Sequence, residues 1–294
     1  MGRKLVRFDW AIKRLLRSKA NFGVLEGFLS ELLHTDITII EILDSESNKD
    51  CSDDKSNRVD IKVKDSDKNI IIVEIQYSRE LDYLQRILYG TSKTITEHMI
   101  ESNAYSNVVK VISVNILYFK FGTEDDYIYY GTTTFRGVHT QSILELNESQ
   151  KKLYKHQKVA EIYPEYYLIN VNNFNDTAKD TLDEWIYFFK HEKIEESFKA
   201  KGLKEAASTL DILKMDEAER VSYERYCDQL RYEASMYEST YINGRVEGRE
   251  EGREEKAYLS AEIMIRNGET DEKVVLYTGL TIEQVVDLRK RLGM

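Results

Sequence analysis

The chain has 294 residues, 41% of them hydrophobic and 32% charged, enough for one large domain plus a smaller one around a packed core, and not the composition of a disordered chain. No apolar run approaches the roughly 18 residues that span a bilayer and no signal-type stretch follows the basic start, which predicts a soluble cytoplasmic protein with no membrane partner. A formal net charge of -10 excludes bulk electrostatic binding of nucleic acid, and two distant cysteines, Cys51 and Cys227, exclude a disulfide framework and a Cys-based zinc site.

Charge is uneven along the chain. The first twenty residues carry Arg3, Lys4, Arg7, Lys13, Arg14, Arg17 and Lys19 against Asp9 alone, a segment that reads either as a solvated helix face or as one that contacts phosphate. Apolar residues at Phe8, Ile12, Leu15 and Leu16, then at Val24, Leu25, Phe28, Leu29, Leu32 and Leu33, predict two amphipathic helices. Ile37 to Leu43 reads as a strand, and the next fourteen residues, DSESNKDCSDDKSN, as an acidic loop. Arg58 to Lys64 (RVDIKVK) alternates apolar with polar, Asp65 to Asn69 is a turn, and Ile70 to Gln76 (IIIVEIQ) reads as a strand buried on both faces.

Ser78 to about Glu101 reads as a long helix. Strands are expected over Val108 to Phe119, around Tyr127 to Phe135, and over Tyr166 to Val171, where the sole proline, Pro164, marks a strand start or edge. This order predicts a mixed α/β domain. From Leu182 onward nearly everything reads as helix. In GRVEGREEGREE, glycines recur at 244, 248 and 252 with Arg245, Arg249 and Arg253 beside them. Each glycine costs roughly 1 kcal/mol in a helix relative to alanine, so close approach of a second helix is one reading and a flexible charged linker the other. AEIMIRNG, DEKVVLYTGL and TIEQVVDLRKRLG read as three short helices, loosely resembling a helix-turn-helix.

With Lys64 opposite Ile70 across the turn, the hairpin pairs Lys62 with Ile72 and Asp60 with Glu74. Directly opposed side chains have Cβ atoms about 4.5–5.5 Å apart, and like charges there are destabilising. Gln76 shares the face of both acids. A divalent cation removes the repulsion, and hard oxygen donors point to Mg²⁺ or Mn²⁺ rather than zinc. The other reading is a wet strand end where Arg58, Lys62 or Lys64 pairs the acids. The five histidines are scattered, without metal-type spacing, and no strand leads into a phosphate-binding glycine loop.

The order helix, strand, Asp-bearing strand, E-x-Q strand, helix resembles the PD-(D/E)xK nuclease superfamily, with Gln76 where the usual lysine would stand. More closely, FDWAIKRLLRSKANFGVLEGFLSELL, NRVDIKV, IIIVEIQYSRELDYLQRILYGTSKTITEH and PEYYLI look like the Rpn family of recombination-promoting nucleases, also labelled transposases. The resemblance covers roughly residues 5–205, and the glycine-repeat helix with its TGLT-containing tail is similar to the family's usual ending. It implies a restriction-endonuclease-like core, a central mixed sheet flanked by helices, with a helical C-terminal region. It also implies a metal-dependent DNA endonuclease using Mg²⁺, with Mn²⁺ or Ca²⁺ as substitutes. Asp60 and Glu74 would hold the metal with the backbone carbonyl of Ile75, Gln76 would orient the attacking water, and Glu26, with Asp9 behind it, is the candidate for a further acid from the first helices.

An amide cannot stabilise charge as lysine can. The expected substitutes are Lys62, on the face of Asp60, and Arg86 with Lys93, spaced i, i+7 on the following helix, while Lys13, Arg14 and Arg17 complete the expected DNA contacts. The sequence divides as a nuclease-like domain at 1–180, a helical region at 181–256 and a small helical tail at 257–294, with a homodimer through the C-terminal helices. The expected function is phosphodiester hydrolysis in DNA that promotes recombination or acts on mobile or foreign DNA. The alternatives are a catalytically inactive DNA-binding or assembly protein that retains the nuclease fold, and an RNase H-like transposase, which needs a third carboxylate in another topology.

Overall fold

A computed structural model describes residues 5–14, 16, 18–44, 59–99, 104–123 and 125–294, and the backbone alone at 213. The segment 45–57, Arg3, Lys4, Arg17 and Arg58 lie outside the described residues. Contacts divide the chain into two compact units, at Tyr223 and Glu224.

In the first unit, α1 (Phe8–Arg14) and α2 (Phe22–Leu33) lead into β1 (Ile39–Leu43), β2 (Ile61–Asp65) and β3 (Ile70–Gln76). Then follow α3 (Tyr83–Glu97), β4 (Val111–Leu117), β5 (Ile128–Gly131), α4 (Glu148–Tyr154), β6 (Glu165–Asn170), α5 (Thr181–His191) and α6 (Leu203–Thr209). The six strands form one mixed sheet in the order β1-β2-β3-β4-β6-β5. β3, β4 and β6 are parallel neighbours, and the pairs β1–β2, β2–β3 and β5–β6 are antiparallel. The near-continuous apolar runs of β3 and β4 follow from this, because parallel strands at a sheet centre are covered on both faces. Every residue of β4 is buried, as are the first six of β3.

The hairpin register is the one read from the alternation, with Lys62 opposite Ile72 and Lys64 opposite Ile70. Asp65 closes the turn, accepting from the backbone and side-chain amides of Asn69 at 2.8 Å each. On one face of the sheet α3 packs Ile95 against Val59, Ile70, Ile72 and Val111, and Tyr83 and Ile87 against Leu117 and Phe119. Helices α1, α2 and α5 meet through Phe8, Phe28, Trp185, Phe188 and Phe189, whose ring centroids lie 4.5–6.2 Å apart. Helix α5, which follows the sequence-based boundary at 180, therefore contributes to the core of the first unit.

Helix α7 (Glu217–Arg266) begins in the first unit and runs unbroken through the glycine repeat. In the second unit its end packs on α8 (Asp271–Thr278) and α9 (Ile282–Arg291) around Ala261, Ile265, Val274, Leu280 and Val285. The TGLT turn has a direct physical basis. Gly279 ends α8 at φ 74°, where a side chain is strained, and Thr281 caps α9 in a reciprocal pair of hydrogen bonds with Gln284. Along α7 a Cβ added at Gly244, Gly248 or Gly252 would meet no described atom within 4 Å. At about 100° per residue, Glu247 and Glu251, each just before a glycine, line one flank of the glycine edge, and Arg245, Arg249 and Arg253, each just after one, line the other. All these side chains are exposed.

Candidate active site

The C-terminal end of β3 opens into a cavity of about 570 Å³. Strand β3 contributes Glu74, Ile75 and Gln76 to its lining, the residues before β2 contribute Val59 and Asp60, the end of α1 contributes Lys13 and Arg14, and α3 contributes Arg86. Asp60 stands one residue ahead of β2, where a register extended from the hairpin faces it toward Glu74. One carboxylate oxygen, Oδ2, accepts from the Ile75 amide at 2.8 Å, which ties the acid to the strand end, and the other pairs with Lys13 Nζ at 3.1 Å.

Glu74 is buried and faces Asn115 in the parallel pairing with β4. Burial pushes its carboxyl up, Arg86 opposes, and Asp60 and Glu80 add to the rise, so that the group titrates near 7. Arg86 forms an ion pair with Glu74 through Nη2 and reaches both oxygens of Glu80 through Nη1, at 2.7 and 3.0 Å. Burial works against the guanidinium charge, but Glu74 and Glu80 outweigh it and hold Arg86 above its ordinary value. Beneath this pair, Tyr83 donates to Asn115 Oδ1 at 3.0 Å and Asn115 Nδ2 donates to Ser113 Oγ at 3.0 Å, a buried polar chain that fixes α3 against β4.

Gln76 Nε2 donates to Glu80 Oε1 at 2.7 Å and to the Ser78 carbonyl at 3.2 Å. Glu80 is the residue that the sequence did not reveal. The expected helix from Ser78 begins only at Tyr83, and residues 77–82 turn back over the strand end, bringing Glu80 onto Gln76 and Arg86.

The remaining sequence candidates lie elsewhere. Glu26 accepts from the Ile39 amide at 2.7 Å and holds the start of β1, and it does not line the cavity. Asp9 is buried and accepts from the Trp10 amide and from Arg7. Lys62 shares the Asp60 face of the strand, as expected, but α3 covers that face. Its ammonium is buried and paired to Glu97 at 3.0 Å, which removes it from direct contact with a ligand in the cavity. Lys93 is half-buried two turns beyond Arg86 and also lies outside the lining.

Among the described residues no three His, Cys, Asp or Glu side chains gather as a metal cluster. Two carboxylates with oxygen donors only still fit a hard cation such as Mg²⁺, which commonly keeps several waters and takes one or two carboxylates. Burial is the largest cause of the raised Glu74 carboxyl, and the nearby Asp60 adds to the rise while Arg86 opposes it.

No described helix is long and apolar enough to cross a membrane. Comparison with curated proteins finds no match, and comparison with solved structures finds none either. A family model described as PD-(D/E)XK nuclease family transposase matches residues 6–239, the span that contains the sheet, α3 and the whole cavity. On that match, and with a mixed sheet flanked by helices and its acids at the end of the central strands, the chain belongs to the PD-(D/E)XK nuclease transposase family.

Proposed function

We propose that this protein is a Mg²⁺-dependent DNA endonuclease whose active site is the cavity at the end of β3. The observation that carries this reading is the meeting there of Asp60 and Glu74 with Lys13, Arg14 and Arg86. Asp60, Glu74 and the backbone carbonyl of Ile75 would hold the metal, which when bound lowers the pKa of the attacking water and offsets charge on the phosphate. Gln76 orients the water, whose oxygen bonds to phosphorus as the bond to the leaving ester oxygen breaks; the water gives up a proton to solvent and the leaving oxygen takes one up as a hydroxyl. Arg86 and Lys13 supply the positive charge that an amide at position 76 lacks. Arg14 reaches phosphates at the cavity mouth, with Lys93 as an outer contact on the strand. Glu26 and Lys62 have no role in this reading, since both are engaged elsewhere.

The family's description as transposases supports a cut that serves recombination or the movement of DNA. A homodimer through α7 suits that chemistry, because one site cuts one strand. The second reading is an inactive DNA-binding or assembly protein. It is favoured by Gln76 and by the fact that each acid already has a cationic partner. Plasmid nicking by purified protein with Mg²⁺, Mn²⁺, Ca²⁺ or EDTA separates the two. Nicking with Mg²⁺ that Asp60→Ala and Glu74→Ala each abolish, with the fold intact, is the expected result. DNA binding without nicking under every metal selects the second reading.

A further inference from the structure

Glu80 is the acid of the site that belongs to neither strand, and its oxygens hold two of the side chains on which the chemistry relies, Gln76 and Arg86. A carboxylate and the Ser78 carbonyl are both acceptors, so the Gln76 atom facing them is the amide nitrogen, and both of its hydrogens are used. What remains to Gln76 is acceptor capacity at Oε1. That polarity is the opposite of a lysine ammonium, which only donates. Arg86 is held at two points, by Glu74 on one side and by both oxygens of Glu80 on the other.

We propose that Glu80 is a positioning residue with two tasks: it turns Gln76 so that the carbonyl oxygen meets the attacking water, and it retains Arg86 beside the phosphate when Glu74 is engaged by a metal ion. The inference rests on the nuclease reading above. Without Glu80 the guanidinium has Glu74 as its remaining partner and competes there with the cation. Gln76 loses one of its two anchors and is free to turn. Glu80→Gln keeps an acceptor for the Gln76 amide while giving up the charge that holds Arg86, so it separates the two tasks.

Two readouts test this on the full chain. In calorimetric titration with Mn²⁺ and no DNA, Glu80→Ala is expected to bind the ion about tenfold more weakly, equivalent to about 1.4 kcal/mol. Adding Arg86→Ala is expected to return the affinity to that of the unsubstituted protein. In the nicking assay Glu80→Ala is expected to lose on the order of 100-fold in kcat, the scale of a misplaced catalytic group, and Glu80→Gln to lose less. Mn²⁺ affinity and nicking that are unchanged in Glu80→Ala overturn the proposal. So does an affinity loss that Arg86→Ala fails to reverse, since that marks Glu80 as a general source of negative charge. If the unsubstituted protein binds no Mn²⁺ and cuts no DNA, the nuclease reading fails first and the role of Glu80 falls with it.

Discussion

Glu74 is a carboxylate whose ionisation the fold resists. Its pKa rises from 4.5 to about 7, with burial as the largest cause. Between those values the folded chain holds a proton that the unfolded chain has released, so stability falls as pH rises through this window and stays lowered above it. At roughly 1.4 kcal/mol per unit the ceiling is about 3 kcal/mol. Glu74→Gln keeps the shape and removes the charge. In EDTA it is expected to melt above the unsubstituted protein at pH 8, with the gap closing by pH 4, measured as Tm by circular dichroism. An equal gap at both pH values would show that something other than the buried charge sets the difference. Mn²⁺ is expected to raise the Tm of the unsubstituted protein and to leave Glu74→Gln nearly unmoved.

At the scale of elements, α1 brings cations to an acidic site. Phe8 and Ile12 anchor the helix in the core, and Lys13 and Arg14 at its end are left at the cavity. Each phosphate contact adds about 0.9 to the slope of log K against log salt for duplex DNA. Arg14→Glu is expected to flatten that slope by about one contact in fluorescence anisotropy with EDTA, and an unchanged slope would return Arg14 to a solvated face.

The hairpin was legible in the sequence because a two-residue period and a polar turn leave one register that buries Val63, Ile71 and Val73. The start of α3 was not. Leu81 extends the helical spacing of Leu84 and Leu88 upstream of Tyr83, although all three are exposed. In a helix Glu80 and Arg86 would stand six residues apart on different faces, so their pairing depends on the loop that interrupts the pattern. Lys62 shows the same limit from the other side. Its face could be read from alternation, but the acid that claims it, Glu97, comes from α3, thirty-five residues away.

At the scale of the whole molecule, the net charge of -10 is distributed so that the cavity at the end of β3 is not itself strongly acidic. Lys13, Arg14 and Arg86 stand against Asp60, Glu74 and Glu80, a local balance to which a phosphodiester and a divalent cation can be added together. Helix α7 is organised differently, with its glycine edge open along three successive repeats. Substituting leucine at Gly244, Gly248 and Gly252 raises helix propensity while filling that edge. If the edge is where two chains meet, light scattering is expected to show dissociation or aggregation. An unchanged mass with greater helicity would end the dimer proposal.

The order of charges around those glycines also gives the helix a direction. Seen down its axis, acids lie to one side of the edge and arginines to the other. When two such helices meet edge to edge running the same way, the arginine side of each faces the acidic side of its neighbour. Turning one of them end over end sets arginine against arginine and acid against acid. If two chains pair along this edge, the repeat of glycine, arginine and glutamate therefore sets the polarity of the pair, and like charge works against the reversed pairing along its whole length.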